Sequence, residues 1–120
     1  MSMQKTQDSP LAAPLAATLA LAALIGFLTL TPIQNPGVPG TDKSHHLIGF
    51  AALALPLSFS RPRLAPWVVL AAIAYGGAIE IIQPYVGRSG EVLDLAADAM
   101  GAVLGGAAGV GLRWLRGRLQ

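Results

Sequence analysis

Long apolar runs separated by short polar segments fill most of this 120-residue chain, and they leave it few folds to choose from. An α-helix needs roughly 20 apolar residues to cross about 30 Å of hydrocarbon. In lipid the backbone must satisfy its own N–H and C=O groups, so a helical hairpin series is the natural outcome. The chain is 53% hydrophobic and only 12% charged, with mean hydropathy +0.58, which is too apolar for an ordinary soluble domain. Its 14 glycines fit close helix–helix approach in lipid. It has no cysteine, which removes disulfide frameworks and thiolate chemistry.

Read along the chain, the first span runs from about Leu11 to Leu30, with Pro14 in its opening turns where a missing N–H costs little. It imitates a secretory signal, but Thr29-Leu30-Thr31-Pro32 is a poor cleavage site, so a retained span is expected. Thr31 to Thr41, rich in proline and glycine, reads as a loop. Thr41 or Asp42 then caps a second helix that reaches about Phe59, with Pro56 as a kink point. Ser60 to Pro66 is a tight basic turn, a third helix runs from near Trp67 to Pro84, and a fourth from about Glu91 to Leu112. The expected fold is therefore all-α: one domain over residues 1–120, an integral membrane bundle of four transmembrane helices.

The charges set the orientation. Lys5, Arg61, Arg63, Arg113, Arg116 and Arg118 gather at one end of the spans, together with Trp67 and Trp114. Basic residues are retained on the cytoplasmic side, so both termini are expected in the cytoplasm. The pI near 9.5 does not point to nucleic acid, because the bases are dispersed at span ends without a basic stripe or stacking aromatics.

The opposite end holds a mixed cluster. Asp42 and His46 are four apart on helix two, Glu80 and Gln83 three apart on helix three, and Asp94, Asp98, Gly101 and Gly105 form one seam on helix four. Lys43 and Arg88 are the fixed cations on that side. With about 1.5 Å rise per residue, Glu80 lies about 6 Å inside Pro84, and Asp98 about 6 Å inside Asp94. Ionisable groups at such depth point to function or to an essential network. Glu91 reads as a first-turn acid placed by the helix dipole, and His45 as interfacial. Ala97, Gly101, Gly105 and Gly109 form a small-residue surface for helix packing.

The pattern Asp42-Lys43-x-x-His46-x-x-x-Phe50, Glu80-x-x-Gln83, Arg88, Asp94, Asp98, Gly101 and Gly105 resembles the VanZ-like family of small polytopic membrane proteins. The resemblance covers about Thr41 to Gly105. One departure is Asp98, where the family usually carries an asparagine. The resemblance implies a multi-pass protein of the bacterial inner membrane, linked in some members to glycopeptide resistance at the cell envelope. No residue of this chain identifies a glycopeptide.

Three functions fit these residues. The first is an outward-facing polar pocket for an amphiphilic envelope precursor or lipid, with Lys43 and Arg88 on an anionic or carbonyl group and His46, Glu80 and Gln83 hydrogen-bonding it. The second is a membrane enzyme using Glu80 or Asp94 as base and His46 as acid/base. The third is a salt-bridged structural subunit, for which the glycine seam would also suit a homo-oligomer. Neither a cofactor nor a metal is expected, since no local ligand spacing stands out. The expected partner is the lipid bilayer, without nucleic acid.

Overall fold

The computed structural model describes residues 10–31, 41–87 and 90–119, without the side chains of Thr41 and Asp42. It is all-helical over those residues. Helix α1 spans Ala12–Leu30, α2 Thr41–Ser60, α3 Ala65–Ile82 and α4 Val92–Leu119. A 3₁₀ turn, Pro62–Leu64, joins α2 to α3, and a second, Gln83–Val86, continues from α3. Three segments are long and apolar enough to cross a membrane: α1, Pro62–Val86 and α4. Helix α2 falls short in composition because Lys43, His45 and His46 occupy its first turns. It also makes the most extensive packing in the molecule, against α4, with α1 and α3 on its other sides.

The element boundaries follow local chemistry. Helix α3 begins at Ala65, with Pro66 in its first turn, where proline is tolerated. Its far end tightens to 3₁₀ geometry around Pro84 and stops at Gly87, whose φ of 81° suits a residue without a Cβ. Helix α4 runs past Leu112, where the sequence places its end, through the basic Arg113–Arg118 segment. Arg113 Nη1 donates to the Phe59 carbonyl at 3.4 Å, and the guanidinium groups of Arg113 and Arg116 lie 5.5 and 5.9 Å from the Phe59 ring centroid. Cations at the C-terminal end of α2 meet both its dipole and an aromatic face.

The main packing runs between α2 and α4, which lie parallel. A Cβ on Gly101 would collide with the Leu47 carbonyl, one on Gly105 with that of Ala51, and one on Gly109 with that of Leu55 at 2.8 Å. Each step advances one turn on both helices, so a ridge of α2 backbone fits a glycine groove on α4. Helix α1 buries no residue fully, but Leu21, Ala22, Ile25 and Leu30 pack against the core, and two hydrogen bonds tie it to α3 and its 3₁₀ extension. The Tyr75 hydroxyl donates to the Ala22 carbonyl, and Gln83 Nε2 donates to the Thr29 carbonyl at 3.0 Å. Leu19, Phe27, Leu28, Ile81, Val92 and Leu93 are among many exposed large apolar side chains, a surface suited to lipid.

Candidate functional site

The cluster is built where three helix ends meet. The first turns of α2 present Lys43 and His46, three residues apart on one face. The last turns of α3 present Glu80 and Gln83, and the start of α4 presents Glu91, Asp94 and Asp98. Phe50, Ile79 and Ala102 lie one turn or one residue beyond these groups and belong to the buried apolar core, so the cluster rests on a dry floor.

Its centre is a contact between α2 and α4: His46 Nδ1 and Asp98 Oδ1 are 2.6 Å apart, and Asp98 is fully buried. His46 Nε2 lies 3.9 Å from Asp94 Oδ2, and Asp94 is 2% exposed. Further out, Lys43 Nζ lies 3.1 Å from Glu91 Oε2 and 3.9 Å from Asp94 Oδ1. The cluster thus grades from a half-exposed Lys43–Glu91 rim to a buried His46–Asp98 floor. Glu80 faces α4 because its Oε2 accepts the Glu91 backbone N–H at 2.7 Å, one of the donors that a helix start leaves open. A Cβ on Gly90 would stand 2.5 Å from the Glu80 carbonyl, so glycine permits this entry into α4.

At this end of the bundle, Glu80 Oε1, Gln83 Oε1 and Asp98 Oδ2 are buried acceptors with no hydrogen-bond donor among the described residues. Buried polar atoms are nearly always paired, so such a group marks a place for a proton, a cation or a donor. The arrangement can therefore bind positive charge, and the His46–Asp98 pair can hold an imidazole in a fixed orientation.

Of the residues singled out in the sequence, Lys43, His46, Glu80, Asp94 and Asp98 meet in this cluster. Gln83 is buried beside Glu80 on the chain but bonds to α1. Gly101 and Gly105 lie against α2 backbone, away from the charged groups. The side chain of Asp42, and all of Arg88 and Ser89, fall outside the described residues. Glu91 does more than the sequence suggests: it pairs with Lys43 and lends its N–H to Glu80. Its position just ahead of α4 conceals this, because a first-turn acid is ordinary and its partners lie on other helices.

An all-helical bundle with lipid-suited faces and a buried polar cluster defines a small helical membrane protein. The chain belongs to the VanZ/LLP1 family, whose model matches residues 4–112. No curated protein and no solved structure matches it. The family and the three apolar helices together support a membrane location.

Proposed function

We infer that this chain is a four-span protein of the bacterial cytoplasmic membrane whose polar cluster is an outward-facing pocket for an amphiphilic cell-envelope component. Both termini lie in the cytoplasm on this reading, because Arg61, Arg63, Arg113, Arg116 and Arg118 gather at the end opposite the cluster. The observation that carries the binding role is the polar gradient, from the half-exposed Lys43–Glu91 rim down to unpaired acceptors on Glu80, Gln83 and Asp98. A headgroup that offers both an anionic group to Lys43 and hydrogen-bond donors to these oxygens matches that gradient.

A structural role is the second reading, favoured by the 2.6 Å His46–Asp98 contact that joins two helices at a fully buried point. Native mass spectrometry of the full chain in mild detergent separates the two. The binding reading expects a retained amphiphile that is lost in Lys43→Ala while the thermal transition is kept. A wild-type chain carrying nothing beyond detergent, or a variant retaining the same species, contradicts it.

A further inference from the structure

We propose that His46, Glu80 and Asp98 form a binding site for one divalent transition-metal ion of the zinc type. One nitrogen of His46 and one oxygen from each carboxylate all lie within 4.8 Å of one another. Ligands at about 2.0–2.2 Å from Zn²⁺ stand roughly 3–4 Å apart, so only a small closing movement is needed. The three donors come from three different helices, α2, α3 and α4, so the packed bundle fixes their separation. An imidazole with two carboxylates is a donor set that suits zinc-like ions and leaves coordination open for water or a ligand oxygen.

The unpaired atoms point to an occupant. Asp98 is fully buried, yet its Oδ2 has no donor among the described residues; the same holds for Glu80 Oε1. Asp98 Oδ2 is turned toward α3: a Cβ on Gly76, one turn from Glu80, would come within 2.7 Å of it. Glycine at that position makes room for the Asp98 carboxylate against α3. The supporting shell is also present. Glu80 is held through its other oxygen by the backbone N–H of Glu91, which lies outside the proposed ligand set. Such outer contacts orient metal ligands and hold them ready. An ion would also offset the negative charge of three carboxylates, Glu80, Asp94 and Asp98, that lie close together. The sequence conceals the site because its ligands sit on separate helices, with no HExxH-like local spacing.

This site shares Glu80 and Asp98 with the amphiphile reading but is tested with a different probe. The test is a Zn²⁺ titration of the full chain, stripped with chelator and held in detergent, followed by calorimetry and by metal analysis of the isolated protein. One ion per chain is expected. Glu80→Gln and Asp98→Asn, which keep shape and hydrogen bonding, should each weaken binding at least about ten-fold. Exposed His45, changed to alanine, should leave it unaltered. Absence of stoichiometric binding by the wild type, or wild-type affinity in the carboxamide variants, overturns the proposal. Since Zn²⁺ is the only probe, failure here leaves amphiphile retention unaffected, and the reverse also holds.

Discussion

Gly101→Leu and Gly105→Leu are each expected to cost about 3 kcal/mol or more of stability, because they force side chains into backbone rather than into yielding space. A first carbon added at either position already meets a carbonyl oxygen of α2, Leu47 or Ala51. The obstacle is a rigid helix, so the only relief is to separate α2 from α4, the most extensive packing in the molecule. That separation would also pull His46 from Asp98, three residues before Gly101. Even Gly105→Ala should lower the thermal transition in detergent. Gly111→Ala, on the same helix with nothing within 4 Å of the added carbon, should not. Equal transitions for the Gly105 and Gly111 variants would show that α2 and α4 do not approach as closely as described.

The second large effect concerns the buried pair. His46→Leu leaves Asp98 fully buried without the imidazole at 2.6 Å, and removes the ring nitrogen 3.9 Å from Asp94 Oδ2. Breaking a buried charged pair from one side costs about 3–5 kcal/mol, whereas replacing both partners with apolar groups is often near neutral. The double variant His46→Leu/Asp98→Leu is therefore expected to be more stable than His46→Leu alone. A double-mutant cycle from denaturation in detergent measures this coupling directly. Additive losses would mean that the two side chains do not interact.

Much of the fold is legible in the sequence because lipid simplifies the rules. Apolar length gives α1 and α3 to within a few residues, and the small residues at Ala97, Gly101, Gly105 and Gly109 mark the face of α4 that meets α2. Three points are not legible. The basic segment Arg113–Arg118 is helical because it continues the turn-by-turn register with α2, a tertiary effect centred on Phe59. The tie from Gln83 to the Thr29 carbonyl joins α3 to α1 across 54 residues of chain. For the site, helical spacing shows which groups share a face, but not which helix ends touch. Lys43 meets Glu91, and Glu80 takes the N–H of Glu91, through contacts 48 and 11 residues apart in the chain. No local pattern encodes those pairings.

The central claim is that the polar cluster opens on the outer face of the membrane, and the lack of cysteine allows it to be tested cleanly. Ser44 is exposed beside Lys43 at the cluster end, and Leu64 is exposed in the turn between α2 and α3 at the basic end. Single-cysteine chains Ser44→Cys and Leu64→Cys are to be treated with a membrane-impermeant maleimide, in intact cells and after the membrane is opened. The account predicts that Ser44→Cys reacts in intact cells and that Leu64→Cys reacts only once the membrane is opened. The reverse pattern, or labelling of both positions from the same side, would contradict it.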